Sequence, residues 1–425
     1  METFTIIVLI CTLVGLLAIG VPVGFALGMA GILSILSVGP EFLMQIPLTI
    51  AKSFSDVVLI AVPLFILMGE ILHRGKVGQN LFDAANAWLC RTRGGAGMAA
   101  VFAFTFFAAI VGSSMASVLT IGKIALPEME KQGYSKRLAY GLTAVGGSLG
   151  ILIPPSIPLI LYASMTDASP SQLFTAGIVP GLAIALLLAA WAAWSAPSTG
   201  SAERFDLGRA LKVSMRALPD LLLPMVVLGG IYVGIYTPTE AAAVGVVYAL
   251  VLTLMVRRTL RLADLPAVLI ESFRSNAMLL TIVMGALLFG SALTLIGLPQ
   301  MLSEMISETH LSSTAVLLIF FGIWLLMGCF LEVLSILLIT VPVFFPIALA
   351  TGIDPIWFGI FMVINMEIAV ITPPVGMNLF AISVLLPHES LENITRAAVP
   401  SVLILLAGLA LIWIFPQIAL VLLGR

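Results

Sequence analysis

GGSLGILIPPSIPLILYAS, residues 146–164, and NMEIAVITPPVGMNLFAIS, residues 365–383, decide the fold of this chain. Each is an apolar tract interrupted by a proline pair, Pro154-Pro155 in one and Pro373-Pro374 in the other. Proline lacks the amide hydrogen that a helix needs, and its ring clashes with the preceding turn, so neither tract is a continuous helix. Superposing the two pairs sets an offset of 219 residues, which also puts Pro127 on Pro346, Gly133 on Gly352 and Ser53-Phe54 on Ser272-Phe273. With small gaps, Pro22 pairs with Pro238 and Pro180 with Pro400. Proline and glycine punctuate helices, so the chain is an internal repeat whose halves break at matching places.

The medium around these tracts follows from composition. Of 425 residues, 61% are hydrophobic and 9% charged, against about 25% charged in a soluble domain. Apolar segments of about 18 or more residues, each long enough to cross a bilayer, recur to the C-terminus. The first of them, residues 4–19, lacks a basic leading region and a small-residue cleavage site, and reads as a mature helix rather than a signal peptide. The net charge of −2 and the absence of a basic cluster give no reason to expect nucleic acid. Cys11, Cys90 and Cys329 are isolated, and His73, His310 and His388 sit near loops, so neither a disulfide framework nor a transition-metal site follows. No HExxH or Walker loop occurs, which argues against an ATPase or a zinc protease. Ser113 and Ser114 have no neighbouring histidine to act as a base. The chain therefore reads as a non-enzymatic transporter without an organic cofactor. A channel is the weaker alternative, because paired hairpins with unwound tracts suit alternating access.

Charge gives the orientation, since cytoplasmic loops are enriched in Lys and Arg. The first half carries Arg74, Lys76, Arg91, Arg93, Lys123, Lys131, Lys136 and Arg137. The equivalent second-half loops, near 298–312 and 341–356, carry Glu304, Glu308 and Asp354 and no Lys or Arg. Matched loops on opposite sides make an inverted-topology repeat. The first repeat spans 1–196, with helices near 4–20, 21–38 and 57–72, an interfacial helix near 77–90, a hairpin near 95–125, a broken span at 137–165 and a helix at 171–196. A cytoplasmic linker follows at 197–216. The second repeat, 217–425, has helices at 217–236, 239–256 and 276–297, a hairpin near 313–346, a broken span at 355–386 and a helix at 397–422. With the N-terminus outside, all of the 19 Lys and Arg residues except Lys52 and Arg425 face the cytoplasm. The predicted fold class is an all-α polytopic membrane protein with two re-entrant helical hairpins and two broken transmembrane helices.

Residues 94–122 carry no charge and lie between basic flanks, so both ends belong on one side. The stretch is too short for two full crossings, which need about 40 residues. A re-entrant hairpin fits, with its tip at Gly112-Ser113-Ser114-Met115-Ala116-Ser117. Within a membrane, broken helix is tolerated only where it is buried in protein or lines a wet cavity. There, unwound carbonyls can coordinate Na+, and half-helix N-termini favour an anion. Neither tract contains Lys or Arg, so an anion would be held by amides, hydroxyls and bound sodium. Candidate substrate contacts are Ser113 at the hairpin tip, Ser148 and Pro154 in the first tract, Pro373 in the second, Glu332 and Asn378. Some have plain structural alternatives. The tip serines are also small packing residues, Asn378 can cap the break, and Glu332 and Glu367 can be hydrogen-bond partners in apolar surroundings.

The sequences GSSMASVLTIGKIALPEMEKQGYSKRLAYGLTAVGGSLGILIPPSIPLILY and FLEVLSILLITVPVFFPIALATGIDPIWFGIFMVINMEIAVITPPVGMNLF resemble the large, DctM-type membrane subunit of TRAP (tripartite ATP-independent periplasmic) transporters, over essentially the whole chain. The resemblance implies an elevator-type fold of the ion transporter superfamily and Na+ as the coupling ion. It also implies three partners: a small four-helix membrane subunit, a periplasmic substrate-binding protein, and an organic acid such as a C4-dicarboxylate or sialic acid. The location it implies is a bacterial or archaeal cytoplasmic membrane. By motif match it places one sodium site at Ser114, Ser117, Gly150, Ile153 and Pro155, and a symmetric one at Gly328, Ala369, Thr372 and Val375. Ala369 stands where the family often has glycine, and Glu367 where it has a small apolar residue, which leaves the number of ions, or a proton in place of one Na+, open. A stand-alone Na+- or H+-coupled carboxylate transporter of the same architecture is the competing reading.

The repeat makes a direct prediction. Single cysteines placed at Lys131 and at Gly352 react with a membrane-impermeant thiol reagent from opposite faces of the membrane. Labelling of both from one face would refute the inversion.

Overall fold

A computed structural model describes residues 2–197, 205–308, 311–373 and 376–424. The helices in chain order are α1 (Glu2–Ala18), α2 (Val23–Val38), α3 (Gln45–Ser55), α4 (Val57–Arg74), α5 (Val77–Leu89), α6 (Gly95–Val111), α7 (Ser114–Lys131), α8 (Lys136–Leu152), α9 (Ile157–Thr166) and α10 (Pro170–Ser195). After the linker come α11 (Leu207–Tyr232), α12 (Pro238–Leu250), α13 (Leu265–Ile296), α14 (Leu298–Glu308), α15 (Ser313–Gly328), α16 (Val333–Ala350), α17 (Pro355–Ala369), α18 (Met377–Leu385) and α19 (Leu391–Ile414). Seven helical segments among the described residues are long and apolar enough to cross a membrane.

The repeat is visible in these boundaries. Helices α7 and α16 begin at Ser114 and Val333 and end at Lys131 and Ala350, a difference of 219 at both ends. Helices α8 and α17 begin at Lys136 and Pro355, again 219 apart. The hairpins are α6–α7 and α15–α16; the broken spans are α8–α9 and α17–α18. Both second-hairpin prolines, Pro342 and Pro346, lie inside α16, so its turn falls earlier, at residues 329–332.

Two layers result. In one, α2 packs along α13, with α1, α4, α11 and α12 beside them. The approach is close: a methyl on Gly24 would meet the Thr281 carbonyl at 2.8 Å, and one on Gly31 the Leu288 carbonyl at 2.9 Å. Small residues at such crossings are how helices gain contact without a hydrophobic drive. In the other layer each hairpin clasps its own broken helix, α6 and α7 on α8, and α15 and α16 on α17, with α10 and α19 outside them. Helix α5 joins the layers. Its Asn80 donates to Asp220 of α11 at 3.1 Å, and Arg257 pairs with the same carboxylate at 2.6 Å.

Two helical details differ from the sequence reading. The linker is shorter than 197–216, because α11 begins at Leu207, where the Asp206 carboxylate accepts the Gly208 amide at 2.9 Å and caps the helix. The amphipathic helix α3 was not anticipated; it mixes exposed Leu48 and Phe54 with Thr49, Lys52, Ser53 and Ser55, which resembles loop composition.

The hairpin-to-span contact is built from glycine on opposite partners in the two halves. A methyl on Gly150 of α8 would overlap Ala108 of α6, whereas in the second half it is Gly328 of α15 whose methyl would overlap Ala369 of α17. Alanine at 369 therefore fits because the hairpin supplies the glycine. Gly328→Ala should destabilise the protein by about 1–3 kcal/mol. The double variant Gly328→Ala/Ala369→Gly recreates the first-half pairing and should recover part of that loss in thermal unfolding of the purified protein.

Candidate functional site

Both breaks are held by side chains that replace the missing helical bonds. In the first, Ser156 caps α9 by accepting the Leu159 amide at 3.4 Å and donates to the Ile151 carbonyl. Ile153 leaves the helix in extended backbone, φ −80°, ψ 126°. In the second, the Asn378 amide donates back across the break to the Val370 carbonyl at 3.3 Å, and Thr372 donates to Ile368 at 2.7 Å.

The hairpin tips meet these breaks. Gly112 turns the first tip at φ +67°, a conformation that L side chains rarely adopt. It faces Ile157 and the Pro155 carbonyl. Ser113 then caps α7, and Ser117 donates to the Ser113 carbonyl at 2.7 Å. At the second tip, Cys329 donates to the Pro373 carbonyl at 3.2 Å. Sequence reading had set Cys329 aside, because a thiol donating to a carbonyl leaves no spacing signature.

One residue ties the two halves together. Ser114 donates to the Asn378 side-chain carbonyl at 2.7 Å, and the Asn378 amide nitrogen donates to the Ala144 carbonyl at 3.0 Å. Asn378 thus spans from the second broken helix to the first hairpin and the first broken helix.

Of the residues assigned to sodium sites, Gly150 and Pro155 lie beside the first hairpin, whose second arm carries Ser114 and Ser117, while the Ile153 side chain packs on Gly181 of α10. Gly328 and Ala369 touch, and Thr372 follows in the second break. Val375 lies outside the described residues. Ser114, Ser117 and Thr372 each spend their hydroxyl proton on a protein oxygen. Their lone pairs are left available, as hard oxygen ligands for a cation must be.

A cavity of about 310 Å³ opens between the two layers. Four helix N-termini border it: Ser113–Ala116 of α7, Ile157 and Pro158 of α9, Glu332–Leu334 of α16, and Met377 and Asn378 of α18. Each N-terminus carries roughly half a positive charge. The opposite wall is Gly69, Glu70 and His73 of α4, with Ser275, Met278 and Ile282 of α13. Among the proposed substrate contacts, Ser113, Glu332 and Asn378 line this cavity, while Ser148, Pro154 and Pro373 do not. Ser148 is fully buried and donates to its own helix at Val145, 2.9 Å away. Glu367 is also fully buried and faces the Leu152 backbone, with neither carboxyl oxygen completing a hydrogen bond. The wall from α4 and α13 was missed in sequence, where Glu70 reads as a helix-end residue and His73 as a loop neighbour.

Comparison with known proteins agrees with this architecture. The family model of the tripartite ATP-independent periplasmic transporter DctM component matches residues 10–418. The C4-dicarboxylate TRAP transporter large permease protein DctM of Pseudomonas aeruginosa is 41% identical, over 93% of each chain. The sialic acid TRAP transporter large permease protein SiaM of Vibrio cholerae is 34% identical, over 96% of each chain. The crystal structure of the Alcanivorax borkumensis YdaH transporter, described as having an unusual topology, superposes with a TM-score of 0.61 over 88% of each chain, at 16% identity. These relatives are transporter components rather than enzymes. A multi-pass helical chain with two hairpins, two proline-broken spans and this match along nearly its full length belongs to the DctM family of TRAP transporter large permease subunits.

Proposed function

We propose that this chain carries out Na+-coupled secondary import of an organic acid across the cytoplasmic membrane, by an elevator movement of the hairpin layer against the α2–α13 layer. The observation that carries the reading is the convergence of four helix N-termini on one cavity, beside hydroxyls whose lone pairs remain free. Removing a carboxylate from water costs many kcal/mol unless positive charge replaces the lost hydration. Among the described residues no Lys or Arg lines the cavity, so the N-termini and bound cations are the sources at hand. Relatives named for C4-dicarboxylates and for sialic acid both carry acids, which supports an acidic substrate here. Membership in a tripartite family supports a small membrane subunit and a periplasmic binding protein as partners.

In this scheme Ser114, Ser117 and the carbonyls of Gly150, Ile153 and Pro155 hold one Na+. Gly328, Ala369, Thr372 and Val375 hold a second. Substrate occupies the cavity between them, touching Ser113, Glu332 and the ring of polar groups that Asn378 organises.

Two experiments test this. In proteoliposomes containing the full complex, Ser114→Ala, Ser117→Ala or Thr372→Val should raise the Na+ concentration for half-maximal uptake several-fold, while Leu187→Ala on the outer surface leaves it unchanged. Unaltered sodium dependence in all three would remove the site assignment. Second, this chain reconstituted alone under a Na+ gradient should transport negligibly. Robust uptake without the small subunit and binding protein would favour a self-sufficient carrier.

A further inference from the structure

The cavity is chemically two-sided, and the two sides ask for different groups on the substrate. Its hairpin wall offers positive potential: α7 begins with Ser113 as cap and no acid in its first turn. The α16 terminus is different. Glu332 is its N-cap residue, and the side chain makes no capping bond. Among the described residues that carboxylate has no hydrogen bond or ion pair, and it borders the cavity. A carboxylate at a helix N-terminus offsets the local positive potential. A substrate anion is therefore drawn to the α7 side and away from α16.

The scaffold wall offers acceptors. Glu70 lines it and is engaged on its far side by Arg74 at 2.8 Å; Arg74 itself does not border the cavity. His73 hydrogen-bonds across the cavity edge to α7. Thr120 of α7 donates to the Ala116 carbonyl at 2.8 Å, and the same hydroxyl lies 2.7 Å from His73 Nδ1. A hydroxyl has a single proton. Both bonds coexist when His73 Nδ1–H donates to Thr120, the tautomer in which Nε2 is an acceptor. Ser275 is the other polar residue on this wall.

We infer that the substrate is a hydroxylated monocarboxylate, with its carboxylate against the α7 end of the hairpin wall and its hydroxyls donating to Glu70, His73 and Glu332. A second carboxylate, as in a C4-dicarboxylate, would face two carboxylates and a ring nitrogen lone pair, with no proton to give any of them. Bound Na+ does not remove the conflict at Glu70 and His73, because the proposed ion ligands lie in the hairpin layer and these acceptors of α4 lie across the cavity. The inference rests on this cavity being the transport site. It is specific to this chain's side chains rather than to the fold.

The test uses the purified complex of this chain with its small subunit, titrated calorimetrically in Na+ buffer with D-gluconate, succinate and the zwitterion ectoine. D-gluconate should bind at least about tenfold more tightly than succinate, as a site built to accept hydroxyl protons discriminates against ligands that lack them. Glu332→Gln should narrow that ratio by improving succinate binding. His73→Phe should narrow it as well, chiefly by weakening gluconate, with thermal unfolding confirming that both variants are folded. Tighter binding of succinate or ectoine overturns the substrate class and leaves the Na+-coupled importer standing. An unchanged ratio in both variants overturns the assignment of these residues. Absence of Na+-dependent binding by all three ligands overturns both readings together.

Discussion

Unpaired backbone groups in a medium without water are the constraint on which the rest of this structure depends. Each proline pair removes helical hydrogen bonds within an apolar span, and each orphaned group costs several kcal/mol in hydrocarbon. The fold answers by enclosing both breaks in protein. Hairpins reach in to meet them, and they can do so only where the contacts are small, at Gly150 against Ala108 and at Gly328 against Ala369. Side chains then take up the carbonyls and amides: Ser156 on Ile151, Cys329 on Pro373, Asn378 on Ala144. Carbonyls that remain free beside hydroxyls are the raw material of a cation site, so the same defect that demands burial supplies the chemistry.

The two halves solve the problem with different residues. Glycine changes sides between hairpin and span. A serine caps the first hairpin's second arm, where a glutamate stands at the same place in the second. Ser148 and Glu367 occupy equivalent positions, and the serine is satisfied by its own helix while the glutamate is not. Repeat symmetry thus fixes backbone placement, and chemical asymmetry is laid over it. That asymmetry gives a cavity between two like hairpins an anion-seeking side and a side that accepts protons.

The positions of the breaks were legible in the sequence because proline and glycine act locally, and a shared offset of 219 turned local signals into an architecture. The scaffold side of the cavity was not. Glu70 and His73 are two polar residues near the end of an apolar helix, and only the crossing of α4 with the hairpin layer puts them opposite Ser113. Asn378 was legible as important but not in its role, since its partners Ser114 and Ala144 lie 264 and 234 residues away. Helix α3 and the early start of α11 escaped because amphipathic, partly polar segments at the membrane edge carry a weaker periodic signal than a span.

Helix α4 shows how the layers are joined in this conformation. At its start, Asp56 caps the helix through Val58 at 2.8 Å and also accepts a hydrogen bond from Ser164 of α9. Near its end, His73 meets Thr120 of α7. Both partners belong to the hairpin layer, one near each end of α4. A net hydrogen bond contributes only about 1 kcal/mol, so two of them hold a position without locking it. In the proposed elevator cycle these bonds must exchange as the hairpin layer slides along α4. Because His73 also lines the cavity, its release from Thr120 frees Nδ1 in the step that carries the substrate past it. The contact that orients the ring toward the substrate is therefore made in one position of the layers and lost in the other, which ties substrate recognition on the scaffold side to the conformation itself.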